Sequence, residues 1–394
     1  MLDSSKNKIF QISKMSIWWS SIDKTTVAIV VCLMLFGWVE MCSVGLAIGK
    51  RTSINPIVFW GKQALFIAVG VTAMLTISML SINSFAKIAV PIFTVLLISL
   101  IGILIFGDAT KGSKRWIKIL GVNVQPSELL KPFFIVINGI ILGNNKIKPK
   151  GALFISAALF FTIAVLLFLE PDIGMMVVYF VAWCTQTVVA NVPMFIYQFL
   201  VIAIPIFGGL TYFSLPHIRY RIDSFLTGDQ PYQVKKSLLS MANGGFFGKG
   251  FGDGDIKYQL PDSHSDYIFS AIGEEWGLIV CLIILSVYFV FIVNLIKQTM
   301  WEENDSRRII GFGLIAVFFI HIFISVGVGT NLLPPKGTTL PFISYGGSSI
   351  LSACINIGIL LILSKSRQGF NGTFEKIKKK NFWDLLIRHK GRTW

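Results

Sequence analysis

Residues 277–294, GLIVCLIILSVYFVFIVN, decide the fold class of this chain, because eighteen successive positions carry no charged side chain. An α-helix rises about 1.5 Å per residue, so about 20 apolar residues cross the hydrocarbon core of a bilayer. The run is continuous rather than alternating in polarity, which favours a helix over a strand of a membrane barrel. This stretch, part of a predicted span at 267–294, therefore indicates a transmembrane helix.

Similar apolar runs recur along the 394 residues, separated by short polar breaks. The composition agrees, since 54% of the residues are hydrophobic and only 14% are charged, too few charges to cover a soluble protein of this length. We therefore predict an all-α polytopic membrane protein with about ten transmembrane helices. The predicted spans are residues 26–48, 56–80, 86–106, 127–143, 151–169, 172–190, 194–214, 267–294, 309–330 and 347–364.

Basic residues beside the spans predict the orientation. They concentrate in residues 1–24, in the break at 146–150 and in the tail 366–394, which all fall on one side if the spans number ten. The positive-inside rule places that side in the cytoplasm. We therefore expect cytoplasmic termini, an integral membrane domain at 25–365 and a long outer loop at 215–266, between helices 7 and 8. The net charge of +15 reflects this topology and attraction to anionic lipid, and does not indicate nucleic-acid binding.

The residue pattern does not indicate a metal site or a nucleotide-binding site. The four histidines are scattered, and the five cysteines fall inside predicted spans without paired spacing. The glycine-rich stretch 244–252 lacks the strand-to-helix context and the Ser/Thr of a phosphate-binding loop. We predict that it forms turns and close backbone contacts instead.

Polar residues at the edges of spans carry more information, because each is costly in lipid. Glu128 and Lys131 lie three residues apart at the start of the fourth span, so they can pair on one helical face. The pair is either purely structural or part of a polar cavity. Glu170 and Asp172 occupy the short break between the fifth and sixth spans, where solvation and helix capping are expected.

The predicted outer loops are basic, which runs against a simple positive-inside pattern. Long loops are exempt from that rule, so the charges can be incidental. Alternatively, ammonium and guanidinium groups at the outer surface would suit an anion such as a lipid pyrophosphate. The residues concerned are Lys111, Lys114, Arg115, Lys118, Arg219, Arg221, Lys235, Lys236, Lys249 and Lys257.

Residues 259–277, QLPDSHSDYIFSAIGEEWG, place four carboxylates at the start of the eighth span. The sequence from Ser263 to Asp266 has the form of a capping box, which predicts that Asp266 lies in the first helical turn, stabilised by the helix dipole. Asp266 could equally act as a general base toward a hydroxyl of a membrane-bound substrate. Glu274 and Glu275 are expected deeper in the bundle, facing a cavity.

Several motifs together resemble the SEDS family (shape, elongation, division and sporulation). They occur in the order typical of that family and cover about residues 110–350. Lys336-Gly followed by Thr339-Leu-Pro is more similar to the division branch than to the elongation branch. The motifs are GSKRWI at 112–117, QPSEL at 125–129 with Lys131, PDIG at 171–174, YQV at 232–234 with Ser237-Leu238, GKG at 248–250, LPDSHSDYIF at 260–269 with GEE at 273–275, and KGTTLPFISYGGSS at 336–349.

This resemblance implies a peptidoglycan glycosyltransferase that polymerises lipid II into septal glycan strands on the outer face of the bacterial inner membrane. Asp266 matches the family's essential aspartate, and would deprotonate the GlcNAc 4-hydroxyl of the acceptor while undecaprenyl pyrophosphate leaves. The resemblance implies no certain cofactor, although a divalent cation could assist the pyrophosphate. The substrate-binding residues expected from the motifs and basic loops are Arg115, Glu128, Lys131, Arg219, Lys249, His264, Glu275 and Lys336.

The resemblance also implies partners: a class B penicillin-binding protein of the FtsI-like type, other divisome proteins, the nascent glycan strand and the lipid bilayer. Three positions depart from the family pattern, since Glu170 and Lys236 stand where glutamine is common and Asp262 where glutamate is common. The alternative function is a lipid II flippase, an activity also proposed for this family. A flippase needs a polar path across both leaflets and no catalytic base.

Overall fold

The structure is a computed structural model that describes residues 15–106, 115–119, 122–193, 198, 205–206, 208–214, 216–228 and 230–368. Two three-residue strands, β1 (Ile117–Ile119) and β2 (Val122–Val124), form an antiparallel hairpin with Ile117 opposite Val124. The remaining regular structure in this part of the chain is helical. The main helices are α1 (Lys24–Thr52), α2 (Pro56–Met79), α3 (Ile82–Phe106), α4 (Pro126–Gly143), α5 (Pro149–Leu169), α6 (Ile173–Val189), α7 (Pro216–Thr227), α8 (Tyr232–Gly244), α9 (Ile268–Met300), α10 (Asp305–Gly329) and α11 (Gly347–Gln368).

The predicted fold class is confirmed. Eight of the described helices, α1 to α5 and α9 to α11, are long and apolar enough to cross a membrane, and α6 is a shorter apolar helix. Most of the predicted span at 194–214 lies outside the described residues, although 208–214 are helical. The long loop at 215–266 contains α7, α8 and a 3₁₀ turn at Ile256–Tyr258. Of the predicted end segments, residues 1–14 and 369–394 lie outside the described part.

Local sequence explains where several helices begin. The Asp23 carboxylate accepts hydrogen bonds from the amides of Thr25 and Thr26, and so caps the start of α1. Asn55 caps α2 through the amide of Ile57. Helices α2, α4 and α5 begin with proline, whose fixed φ angle and missing N–H suit the first helical position. The sequence before these four helices thus carries a helix-start signal as well as polarity.

The centre of the bundle is formed by α4, α10 and α11, in which 72–78% of the apolar window is buried, against 17–28% in α2, α3 and α5. The outer helices leave apolar side chains on the lipid-facing surface, as expected in a bilayer. Close packing at the centre depends on small residues. A β-carbon on Gly139 would lie 2.5 Å from Ile310 Cγ1, and one on Gly143 would clash with the backbone of Ser306, so α4 and α10 pack closely at both glycines.

Helices α1 to α6 alternate in direction, and so do α9 to α11, so that one end of the bundle collects a defined set of helix ends. Helices α2, α4, α6, α9 and α11 begin at that end, and α1, α3, α5 and α10 finish there. The loop that contains α7 and α8 connects into α9 at the same end. Residues far apart in sequence are therefore brought together around one mouth of the bundle.

Candidate active site

A cavity of about 1530 Å³ opens at this end of the bundle. Its wall is assembled from the start of α2, the end of α3, the β hairpin, the starts of α4 and α6, the turn before α9 and the segment between α10 and α11. This wall carries five of the nine predicted site residues, which are Asp266, Arg115, Glu128, His264 and Lys336. The cavity is thus both polar and charged, and it is large enough for part of a bulky substrate.

Asp266 occupies a turn just before α9. The amides of Ser265, Asp266 and Tyr267 all donate to the carbonyl of Asp262, at 3.1, 3.1 and 3.3 Å. Helix α9 begins at Ile268 and its start has no side-chain cap. The predicted capping box is therefore wrong, because the backbone of the turn is satisfied by a single carbonyl oxygen ahead of the helix.

A second segment holds this turn from the opposite side. Ser344 Oγ donates to the carbonyl of Ser265 at 2.7 Å, and the amide of Tyr345 donates to the carbonyl of His264 at 2.9 Å. Gly337 has φ +63°, and a β-carbon on it would lie 2.9 Å from Asp266 Oδ2. The carboxylate is thus placed against a backbone that only glycine leaves open.

Asp172 organises the neighbouring wall. Its Oδ1 accepts from the amide of Met175 at 3.2 Å, so the predicted capping of α6 is confirmed. Its Oδ2 accepts from Gln125 Nε2 at 3.1 Å, and Arg115 Nη1 lies 3.7 Å from Oδ1. The contact with Asp172 orients the Arg115 guanidinium toward the cavity.

Glu170 does not follow the prediction of simple solvation. Its side chain is only 1% exposed, and neither carboxylate oxygen has a hydrogen-bond partner among the described residues. Burial raises its pKa to about 8, and the nearby Asp172 carboxylate adds to that effect while Arg115 opposes it. The Arg115 Nε donates to the carbonyl of Glu170 at 3.2 Å, so the break between α5 and α6 also binds that arginine.

Lys336 enters the cavity from the segment between α10 and α11. Its Cε lies 3.4 Å from the position of a β-carbon on Gly174, so the side chain packs against the start of α6. Burial lowers the pKa of Lys336 to about 8, and Asp172 partly opposes this. Lys336 therefore remains a cation at neutral pH, close enough to titration for modest alkalinity to change its charge.

Glu128 and Lys131 form the predicted ion pair, with Glu128 Oε2 2.6 Å from Lys131 Nζ. Glu128 lines the cavity, whereas Lys131 is 3% exposed and lies behind it. Both sequence interpretations of the pair are thus partly right. Lys131 has a structural role as the buried partner of Glu128, and the Glu128 carboxylate lines the cavity.

The other three predicted site residues lie outside the cavity wall. Arg219 is exposed and pairs with Asp223 at 3.5 Å. Lys249 is exposed, and its amide donates to the carbonyl of Glu274 at 2.9 Å. Glu275 is buried in an ion pair with Lys257, so substrate contact by these three residues stays a prediction.

The Lys257–Glu275 pair fastens the long loop to the bundle. Lys257 has no exposed surface, and its Nζ also donates to Ser43 Oγ in α1 at 2.6 Å. Glu274 accepts from the amide of Lys257 at 2.9 Å and from Ser240 Oγ at 3.1 Å. Neither Glu274 nor Glu275 faces the cavity as expected; both bind the loop that leads to Asp266. Nothing in the sequence distinguishes Lys257 from the exposed lysines around it.

The sequence analysis missed Lys62 as a cavity residue, and it named Arg221 only as one of many basic residues in the outer loops. Arg221 stands two residues from Arg219 on α7, and such residues do not share a helix face. The structure therefore turns Arg221 into the cavity and leaves Arg219 outside. The described residues contain no group of three or more His, Cys, Asp or Glu side chains that could hold a metal ion.

The fold and this cavity define a class of molecule: a multi-pass membrane protein with a large charged cavity at one end. The cell cycle protein family model that covers FtsW, RodA and SpoVE matches residues 23–369, and the chain belongs to that family.

Curated relatives agree with this assignment. The chain is 30% identical over 364 residues to the probable peptidoglycan glycosyltransferase FtsW of Caulobacter vibrioides, covering 91% of this chain and 93% of the relative. It is 31% identical to the protein of the same name from Geobacter sp. strain M18, covering 88% and 98%. Both matches extend over nearly the whole of each protein.

Solved structures share the fold. A chain from a peptidoglycan synthase complex, described for its coordination of polymerization and crosslinking, has a TM-score of 0.74 at 21% identity and covers 88% of this chain and 98% of its own length. The rod shape determining protein RodA of Thermus thermophilus has a TM-score of 0.67 at 21% identity, covering 89% and 98%. At this identity the likeness concerns the fold alone.

Proposed function

We propose that this chain is a peptidoglycan glycosyltransferase that polymerises lipid II into septal glycan strands during cell division. Its relatives at about 30% identity carry the name of that activity, and the match spans both proteins. The observation that carries the mechanism is the placement of Asp266. Asp266 lies in a turn whose backbone is held by two segments, at the wall of a large cavity that also contains cationic side chains.

In the proposed reaction, Asp266 is the general base. Its carboxylate takes the proton of the GlcNAc 4-hydroxyl of the acceptor lipid II, and the oxygen attacks the anomeric carbon of the growing chain. The bond from that carbon to the pyrophosphate oxygen breaks, releasing undecaprenyl pyrophosphate. One base suffices, because the leaving group is already a stable anion and needs no protonation by a second carboxyl group.

Arg115 and Lys336 are the proposed partners of the pyrophosphate. Both line the same cavity as Asp266, and the Asp172 contact orients the Arg115 guanidinium. Positive groups fixed where negative charge develops stabilise a departing anion without reorganisation. Glu128 and His264 face the same space and are proposed to contact the sugar or peptide portion of lipid II.

We further propose that the cavity opens at the outer face of the bacterial inner membrane, with both termini cytoplasmic and the protein at the division septum. The basic segments beside the predicted spans support this orientation. A class B penicillin-binding protein of the FtsI type is the proposed partner, since a fold neighbour comes from a complex that joins polymerization to crosslinking. That partner would crosslink the strands made here.

The decisive experiment replaces Asp266 with asparagine. Purified protein, reconstituted with its class B partner, should polymerise lipid II, and Asp266→Asn should lower the rate at least about 100-fold by removing the general base. The matched control is Asp255→Asn, because Asp255 is an exposed acid of the same loop whose side chain caps no helix. Full polymerisation by folded Asp266→Asn protein would refute the assignment.

The same variant separates the polymerase from the flippase alternative. Labelled lipid II is placed in one leaflet of a vesicle, and its protection from a membrane-impermeant quencher is followed. A polymerase predicts no transfer between leaflets. Transfer by Asp266→Asn protein that does not polymerise would instead favour the flippase.

A further inference from the structure

His321 is a buried histidine on α10 that the proposed mechanism does not use. It is 4% exposed, and its Nε2 lies 2.8 Å from Lys131 Nζ. The imidazole also hydrogen-bonds to the backbone of Thr339, in the segment between α10 and α11. One ring thus joins the Glu128–Lys131 pair on α4 to the segment that carries Lys336.

The neighbours of the ring determine its hydrogen-bonding roles. A lysine ammonium only donates, so Nε2 must accept and carries no proton. The proton of the neutral ring then sits on Nδ1, the nitrogen that remains to donate to the Thr339 carbonyl. His321 therefore acts as a bridge that accepts at one end and donates at the other.

The segment held by this bridge is the one that lies against Asp266. Gly337 approaches the carboxylate, with a β-carbon position 2.9 Å from Oδ2. Ser344 Oγ accepts from the amide of Leu340 at 2.8 Å and donates to the carbonyl of Ser265 at 2.7 Å. Thr339 lies between Gly337 and Ser344 in the sequence. Movement of Thr339 would therefore shift both of the contacts that this segment makes around Asp266.

We propose that His321 is a positioning residue. By binding both Lys131 and Thr339, it anchors the segment 336–345 to α4, and this segment in turn keeps Asp266 in place. Its effect on catalysis rests on the proposed function, but its effect on geometry does not. The requirement is for an acceptor toward Lys131 and a donor toward Thr339, rather than for an imidazole as such.

Two substitutions of similar size separate hydrogen bonding from packing. In His321→Gln the amide can accept from Lys131 and donate to Thr339, whereas His321→Met fills a similar volume and can do neither. We expect His321→Gln to keep kcat within about threefold of the original, and His321→Met to lower kcat about tenfold to 100-fold, as small misplacements of a catalytic group do. The KM for lipid II should stay within about twofold in both, because His321 does not line the cavity.

A second measurement reports geometry without any activity. In protein freed of its native cysteines, Thr339→Cys is combined with Ser349→Cys. The two hydroxyl oxygens that the sulfur atoms would replace lie 2.6 Å apart, so the pair should oxidise to a disulfide while the Thr339 carbonyl that binds His321 is kept. The crosslinking rate should be unchanged by His321→Gln and should fall at least about fivefold with His321→Met, because the segment is no longer held.

The outcomes are distinct. Activity or crosslinking that survives in His321→Met, or that is lost in folded His321→Gln, overturns the proposal. If His321→Met does not fold, the rates of polymerisation and crosslinking in His321→Gln decide: the proposal requires that both are kept. If the original protein does not polymerise lipid II while crosslinking follows the expected order, the proposed function fails and the positioning role stands.

Discussion

At the scale of single residues, the cavity shows how burial sets charge. Lys336 and Glu170 both have pKa values near 8, the lysine lowered and the glutamate raised, and burial is the largest cause in each case. Around neutral pH, Lys336 is therefore charged and Glu170 is mostly protonated. The wall facing the proposed pyrophosphate thus keeps the positive charge of Lys336, while Glu170, buried behind Pro171 and Asp172, adds little negative charge.

We predict that this lysine sets the alkaline limit of polymerisation. As the pH rises through about 8, Lys336 loses its proton and its attraction for the pyrophosphate, so kcat/KM should fall. Lys336→Arg should move that limit upward, because a guanidinium stays protonated at pH 9. The measurement is the initial rate of lipid II polymerisation from pH 6.5 to 9.5. Identical alkaline limits in the two proteins would contradict the assignment of this limb to Lys336.

At the scale of elements, the kink in α9 decides how the long loop meets the bundle. Gly277 has φ +78° and ψ 179°, a conformation open only to glycine. The amides of Leu278 and Ile279 donate to the carbonyls of Gly245 and Phe246, at 2.9 and 3.2 Å. The glycine-rich stretch thus inserts into the kink, and the predicted close backbone packing of 244–252 is confirmed.

We therefore expect Gly277→Ala to be strongly destabilising. A β-carbon there would lie 2.4 Å from the amide nitrogen of Gly248 and 2.5 Å from the carbonyl oxygen of Phe246. The strained φ alone costs about 1–3 kcal/mol, and the clash adds to it. Thermal unfolding in detergent should show a clearly lower melting temperature.

The matched control for this prediction is Gly61→Ala. Gly61 lies inside α2 with no atom within 4 Å of a new β-carbon, so its replacement should leave the melting temperature unchanged or slightly higher. Equal melting temperatures for Gly277→Ala and the original protein would mean that the kink is not required.

At the scale of the whole molecule, alternation of helix direction gathers the cavity at one end. The same alternation places the breaks at 144–148 and 301–304 at the opposite end, away from the loop that contains α7 and α8. The basic break beside α5 is the one that the positive-inside rule assigns to the cytoplasm. Geometry and charge therefore lead to one testable orientation.

We predict that the cavity end faces outward. In protein freed of native cysteines, Lys118→Cys should react with a membrane-impermeant maleimide in intact spheroplasts, because Lys118 is exposed on β1 at the cavity. Lys148→Cys, exposed at the other end, should react only after permeabilisation. The reverse pattern of labelling would show the opposite orientation, with Asp266 on the cytoplasmic side, and would contradict the proposed reaction at the outer face.

Local patterns gave reliable predictions wherever a short range of sequence controls the outcome. The span of α9, the Glu128–Lys131 pair and the capping by Asp172 each depend on residues within one helix or one helix start. The capping box at Asp266 failed because the turn is satisfied by the carbonyl of Asp262 and by contacts from a distant segment. Motif resemblance, rather than periodicity, singled out Asp266.

The sequence by itself determined that the chain crosses the membrane many times, because apolar length and the cost of unsatisfied backbone groups leave few alternatives in lipid. Only the tertiary structure decided which charges share a space. It brought Asp266, Arg115 and Lys336 to one cavity, and it buried Lys257 against Glu275 away from that cavity. The reason is physical: hydropathy acts along one segment, whereas the pairing of buried charges depends on which helix ends the fold brings within a few ångströms of one another.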